Sequence, residues 1–135
     1  MKFIAVATTA VAVLISGASA LYADKTCSDL VLDPSNEVLT ANCNDKKGNS
    51  VPNTFDLNTC FGYDSSSNSI FNLGSNFGAS CNNCYLEDRL VDEWEAICKI
   101  MICNCNGHEG VEVNLRAAEH LGNIDGTLTC CQYAC

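Results

Sequence analysis

Basic residues are scarce in this chain. Seven lysines and arginines stand against 16 aspartates and glutamates in 135 residues, a formal charge of −9. A surface of that sign repels nucleic-acid phosphates and anionic membrane faces, which argues against both as partners. No second apolar run of membrane-spanning length follows the first twenty residues, so no membrane span is expected. None of the fifteen asparagines stands in an Asn-x-Ser/Thr sequon, which removes ordinary N-glycosylation. No serine, cysteine or histidine lies in a recognisable nucleophile frame, so a hydrolase has no support and the chain is not expected to be an enzyme.

What is present begins with an export signal. Lys2 precedes the apolar run "FIAVATTAVAVLI" and then "SGASA", with Ala18-Ser19-Ala20 as a small-residue cleavage site. That is the pattern of a signal peptide over residues 1–20, with a cut after Ala23 as the alternative. The expected mature chain, residues 21–135, is one domain in length. It carries 6 basic and 16 acidic residues, a formal charge of −10. All 11 cysteines lie downstream of the signal and read as a disulfide framework in a secreted, extracellular protein.

The mature chain holds two copies of one pattern. Copy one, about residues 27–76, runs "CSDLVL" from Cys27, "LTANCNDKKG" from Leu39, "FDLN" from Phe55, "FG" at Phe61 and "SIF" at Ser69. Copy two, about 77–130, runs "CNNCYL" from Cys81, "MICNCNGHEG" from Met101, "VNL" at Val113, "LG" at Leu121 and "TL" at Thr127. Within each copy the apolar period is two: Leu39, Ala41 and Cys43 share a face, as do Met101, Cys103 and Cys105. Half-buried strands joined by turns rich in Asn, Asp, Ser and Gly follow, hence an all-β domain of two similar halves. One segment breaks the symmetry. Around "EDRLVDEWEAICKI", Leu90, Val91, Trp94 and Ile97 follow helical spacing, which predicts a short amphipathic helix inserted in the second repeat. Trp94 would then cover the edge of the core.

Near the end of copy two stands "LGNIDGTLTC", from Leu121 to Cys130. Asp125-Gly126 between alternating apolar positions is a strong hairpin signal, because the turn needs positive φ. The same bend carries the amide of Asn123 and the carboxylate of Asp125. A carboxylate accepts two hydroxyl hydrogens, an amide offers a donor and an acceptor, and Gly126 lets a ligand approach the backbone closely. These groups suit the vicinal hydroxyls of a sugar.

The segments "CSDLVL", "LTANC", "FDLNTC", "SCNNCYL", "ICNC", "VNL" and "GNIDGTL" together resemble the cyanovirin-N homology domain, in its secreted, cysteine-rich fungal form. The resemblance covers roughly Cys27 to Cys130. It implies an all-β, cyanovirin-N-like pseudo-symmetric fold of two repeats with exchanged segments. It also implies lectin binding of high-mannose or other mannose-bearing glycans, with no metal, no cofactor and no catalysis. The site it implies combines Lys25 and Thr26, Asn44 and Lys46, and the turn Asn123, Ile124, Asp125 and Gly126. Asn44 and Lys46 match in position but not in residue type. The pseudo-symmetric second site departs from the pattern, since "YDSSSNS" lacks Asn-x-Asp-Gly; at most it retains Asp64, Asn76 and Ser80. One main site per chain is therefore expected.

The repeat frame pairs Cys27 with Cys43 and Cys81 with Cys105, and Cys84 with Cys103 is a third candidate. Cys60, Cys98, Cys130, Cys131 and Cys135 stay unassigned, as does the oligomeric state. A zinc set drawn from Cys81, Cys84, Cys103, Cys105, His108 and His120 is the sharpest rival, but exported thiols are oxidised sooner than metallated. Glu93 and Glu95 read as a solvated face. The stronger alternative is a cysteine-rich protein-binding module on the same scaffold, without sugar affinity.

Overall fold

The computed structural model describes residues 21–33, 37–92, 96–115 and 121–130. The expected signal peptide, Trp94, Glu93, Glu95, His120, Cys131 and Cys135 lie outside them. A two-residue strand β1 (Leu21–Tyr22) and one helical turn α1 (Ala23–Thr26) lead into β2 (Cys27–Asp33), β3 (Val38–Asn44) and β4 (Ser50–Asp56). A short hairpin follows, β5 (Phe61–Asp64) and β6 (Ser69–Asn72), flanked by 3-10 turns at Leu57–Thr59 and Phe77–Ala79. Copy two repeats the scheme with β7 (Cys81–Val91), β8 (Ala96–Cys105), β9 (His108–Asn114), β10 (Leu121–Ile124) and β11 (Thr127–Cys130).

The alternating sequence makes antiparallel sheets with one face inward. β2-β3-β4 form one sheet and β7-β8-β9 another, while β5-β6 and β1-β10-β11 form smaller ones. On β3, Leu39, Ala41 and Cys43 point into the core while Thr40 and Asn44 are exposed. The two copies repeat even their irregularity. Register slips between Ser28 and Val31 in β2 and between Asn82 and Tyr85 in β7. Each slip carries a positive-φ residue two places after its cysteine, Asp29 (φ 53°) and Asn83 (φ 50°). These are β-bulges at equivalent positions.

The copies are not self-contained. The β10–β11 hairpin of copy two packs on β4 of copy one, and β6 of copy one packs on β9 of copy two. One core runs through both halves, with Leu39, Leu57, Phe61, Phe77, Met101 and Leu121 fully buried. Phe61 meets Phe77 edge to face, with ring centroids 6.3 Å apart.

Disulfides Cys27–Cys43, Cys81–Cys105 and Cys84–Cys103 each staple one hairpin. Loops of this length contribute about 3 kcal/mol each through the unfolded chain. Cys60–Cys130 instead joins the two exchanged hairpins across 70 residues, and a loop of that length is worth roughly 4 kcal/mol. These bonds consume the four cysteines of the zinc rival.

The inserted helix expected around "EDRLVDEWEAICKI" is corrected. Leu90 and Val91 belong to β7 and Ile97 to β8, paired as Leu90↔Ile97 and Val91↔Ala96. The extra residues lengthen the β7–β8 hairpin beyond its counterpart in copy one. Helical spacing misled because Leu90 and Ile97, which carried it, face each other across two strands near the end of the hairpin and are 61% and 66% exposed, so their apolar character does not mark one buried face. Further along β8, Met101, Cys103 and Cys105 face the main core and Cys98, Ile100 and Ile102 form a second small cluster, so the strand is covered on both faces. Arg89 of β7 reaches across β8 to Glu112 of β9 at 2.6 and 3.0 Å.

Candidate functional site

The Asn-Ile-Asp-Gly turn closes β10 onto β11. Asp125 (φ 53°) and Gly126 (φ 85°) are both left-handed, the backbone of a type I′ hairpin. Gly126 is fixed twice over: a Cβ there would also stand 2.9 Å from Val51 Cγ2 and 3.3 Å from the Asp45 Cβ. The turn therefore lies tight against the β3–β4 turn of copy one.

Polar bonds lock the two turns together. Asn123 is 6% exposed, and its amide works in three directions. Nδ2 donates to Thr26 Oγ1 at 3.1 Å and to the Asn44 carbonyl at 2.9 Å, while Oδ1 accepts from the Gly126 N–H at 2.8 Å. Asp125 Oδ1 accepts the Lys46 N–H at 2.8 Å. Thr26, Asn44, Lys46, Asn123, Asp125 and Gly126 thus share one cluster. Lys25 adjoins Thr26 in α1, and Ile124 is half exposed on β10.

The opposing turn is itself braced. Asp45 Oδ1 accepts the N–H groups of Lys47 and Asn49, and Oδ2 accepts Asn49 Nδ2 at 2.8 Å. The Asn49 side chain foremost, with these backbone N–H groups, holds the Asp45 carboxyl below its ordinary value. Lys46 is exposed between Asp45 and Asp125. The result is a shallow polar surface whose frame is rigid while Asp125, Lys46 and Asn44 face solvent.

The pseudo-equivalent end of copy one is built differently. Asp64 is followed by four turn residues, Ser65 to Asn68. Its Oδ1 accepts both the N–H and the hydroxyl of Ser66, and its Oδ2 accepts Ser67 Oγ. The Ser66 hydroxyl foremost lowers its pKa. Asn76 and Ser80 bond elsewhere: the Asn76 N–H donates to the Asn58 carbonyl, and the Ser80 carbonyl accepts from the Asn106 N–H. No hydrogen bond among the described residues joins Asp64 to either.

The CVNH domain profile matches residues 24–130. The chain belongs to the CVNH family. No curated protein sequence matches it. Among solved structures it is similar to the CVNH protein of Gibberella zeae, at 27% identity and a TM-score of 0.59, covering 79% of this chain and 94% of that one. It is also similar to a designed cyanovirin-N homolog lectin, at 24% identity and a TM-score of 0.63, covering 82% and 98%. A third is the microvirin:mannobiose complex, at 22% identity and a TM-score of 0.56, covering 81% and 97%.

Two parts of this cluster escaped the sequence reading. Asn53, on β4, donates from Nδ2 to the Gly126 carbonyl at 2.8 Å and accepts the Leu128 N–H at 2.9 Å. It clamps the hairpin from outside, and a lone asparagine in a strand gives no advance signal of that. The other is the Asp45–Asn49 brace, which "NDKKGN" could have disclosed, since Asp before a Gly-bearing turn commonly accepts its N–H groups. Among the described residues no group of three or more His, Cys, Asp or Glu is placed to hold a metal. Among the described residues no helix is long and apolar enough to cross a membrane.

Proposed function

We propose that this protein is a secreted lectin that binds mannose-bearing glycans and catalyses nothing. One main site per chain lies where the β10–β11 turn meets the β3–β4 turn. The observation that carries this reading is Asp125: an exposed carboxylate at the apex of a turn held rigid by Asn123 and Asn53, in a CVNH chain. A carboxylate oxygen that accepts one N–H retains a lone pair for a ligand hydroxyl. Lys46, Asn44 and Ile124 stand beside it as the further contacts, with Lys25 added only by the family resemblance, while Asn123 and Gly126 hold the geometry. Microvirin, a similar structure, is known in complex with mannobiose. Four disulfides among the described residues, and the leading apolar segment, fit an oxidising, extracellular setting.

Calorimetric titration with mannobiose tests the reading. Saturation near one ligand per chain is expected, unchanged by chelator. Asp125→Ala should weaken it by at least about tenfold, because a hydrogen bond to a charged group is worth roughly 1.5–3 kcal/mol. Unchanged affinity in a folded Asp125→Ala protein would sink it.

One observation favours the other reading, a protein-binding module. The lengthened β7–β8 hairpin carries Leu90 and Ile97 facing each other, 61% and 66% exposed. Retained partner binding in Asp125→Ala, with loss in Leu90→Ser/Ile97→Ser, would select that reading.

A further inference from the structure

The lengthened β7–β8 hairpin leaves a strand edge open. β7 is an outer strand of its sheet, and among the described residues it pairs with no strand but β8. β2 of copy one packs against β7 without pairing to it. Past the bulge, β7 pairs with β8 in seven unbroken steps, from Tyr85↔Ile102 to Val91↔Ala96. Copy one has only three such steps, from Val31↔Thr40 to Asp33↔Val38. A long, regular edge presents a row of backbone N–H and C=O groups to any strand that fits. The devices that usually blunt such an edge, proline, lysine and bulges, are missing between Tyr85 and Val91.

The side chains along that edge are self-complementary. Tyr85, Glu87, Arg89 and Val91 lie on one face of the strand, and Leu86, Asp88 and Leu90 on the other. A two-fold axis through Asp88 sets the strand antiparallel to a second copy of itself. Glu87 then stands opposite Arg89, Leu86 opposite Leu90 and Tyr85 opposite Val91, each pair occurring twice. Only Asp88 meets its own kind, and each Asp88 carboxylate already holds Lys99 Nζ at 2.7 Å. Moving the axis to Glu87 or Arg89 would set like charge on like charge, so the charges select one register. The bonds within the chain leave room for it. Arg89 holds Glu87 through Oε1 alone and turns its other donors to Glu112, which leaves Glu87 Oε2 for Arg89 of the second copy.

We infer that the β7 edge is a docking surface for a second copy of this chain. Two molecules pair Tyr85–Val91 antiparallel and join their sheets into one of six strands, β9-β8-β7 continuing into β7-β8-β9. On the Leu86 face, Leu90 and its neighbour Ile97 meet Leu86 of the other copy in a continuous apolar strip. Both are exposed in the single chain, and the second copy supplies their cover. The contact is one strand pair with its flanking side chains, at the small end of specific interfaces, so the dimer is weak and exchanges readily. Its use rests on the sugar reading above: a dimer presents two Asp125 surfaces, and two linked weak sites hold a branched glycan far better than one.

Sedimentation velocity of the mature chain from about 10 μM to about 1 mM, with no sugar present, tests the pairing. A monomer–dimer equilibrium is expected, with the amides of Tyr85–Val91 gaining protection from hydrogen exchange as concentration rises. Leu90→Lys puts a charge into the apolar strip twice per dimer and should weaken association at least about tenfold. Glu87→Arg sets arginine opposite Arg89 of the other copy and should weaken it as well. The triple variant Glu87→Arg/Arg89→Glu/Glu112→Arg inverts every sign, keeps both the internal network and the register, and should restore the dimer. Thermal melting confirms that each variant is folded. A monomer throughout that range, association unchanged by Leu90→Lys, or concentration-dependent protection confined to other strands would overturn the inference. Loss of mannobiose binding in a chain that still dimerises would count against the sugar reading alone.

Discussion

The two exchanged hairpins are the same object finished in two ways. Leu121 and Phe61 occupy one core position, Leu128 and Ile70 another, and Gly122 stands where Gly62 does. They diverge at the next place: Asn123 is buried and clamped, whereas Tyr63 is half buried and its hydroxyl donates to Asn68 Oδ1 at 3.0 Å. Beyond it, Asp125 reaches 79 residues away to the Lys46 N–H, while Asp64 closes on Ser66 and Ser67 beside it. A carboxylate that braces a distant turn makes a composite surface from two parts of the chain. One that caps its own turn makes a local, independent one. Asp64 ends its strand where Ile124 does, one place before Asp125, so the two hairpins are finished by different bonds.

The most damaging way to break this comparison is Gly126→Val. A β-branched residue resists a φ of 85°, and its Cβ meets Val51. Strain and overpacking together should cost about 3–5 kcal/mol and melt the protein more than about 10 °C lower. Ser66→Val, in the turn of copy one, disturbs only local bonds at an exposed position and should shift stability by less than about 1 kcal/mol. Equal melting temperatures for the two variants would mean that the β10–β11 turn is not seated as described.

Next is Asn123→Ala. It strands the buried Gly126 N–H and the Asn44 carbonyl, and unsatisfied buried groups cost roughly 1–3 kcal/mol each. A loss of about 2–4 kcal/mol in denaturant unfolding is expected, with mannobiose binding lost as the frame loosens. Tyr63→Phe, its counterpart, gives up one exposed hydrogen bond and should cost under about 1 kcal/mol.

How far this contrast was visible beforehand depends on whether the chemistry is local. The hairpin turn at Asp125-Gly126 was legible because positive φ demands particular residues in sequence. The strands of β3 were legible because Leu39, Ala41 and Cys43 alternate against one core. Long-range bonds left no mark: neither Asn53 nor the Cys60–Cys130 bridge could be read, since each pairs positions about 70 residues apart. The β7–β8 extension was misread as helix because Leu90 and Ile97 are apolar yet exposed, paired across two strands rather than set on one buried face.

Between Asp125→Ala and Asp125→Asn the effects are smaller and more specific. Alanine removes the acceptor for the Lys46 N–H and should cost about 1 kcal/mol of stability. Asparagine retains that acceptor through Oδ1 and should melt close to the parent. If the carboxylate's charge also serves the sugar, asparagine should still bind mannobiose more weakly than the parent protein does. Asp64→Asn should leave mannobiose binding unchanged, which keeps the two hairpins distinct.

The gentlest probe is pH, because it reaches both braces at once without altering the chain. Asp45 and Asp64 have pKa values lowered by hydrogen bonds to their ionised forms. A lowered folded-state pKa gives stability that is complete above the ordinary carboxylate value, about 4, and is lost as pH falls through the folded value. Glu37 works in the opposite direction. Burial is the largest reason that its pKa is raised, with Asp56 and Asp33 adding to it against the Asn58 hydrogen bond. Its contribution is complete below its ordinary value and is lost as pH rises through the raised one. Melting temperature should therefore be highest in mildly acid buffer, decline slightly toward neutrality, and fall steeply below about pH 4. Asp45→Asn should flatten the acid limb, since the titrating brace is gone, and Glu37→Gln should flatten the decline toward neutrality. The hairpins respond differently to the same titration. Losing the Asp45 brace frees the turn that offers its N–H to Asp125, so mannobiose binding should fail together with it. Losing the Asp64 brace frees only its own turn. A mannobiose affinity that held constant to pH 3 while the acid limb was present would show that the Asp45 turn does not support the Asp125 surface.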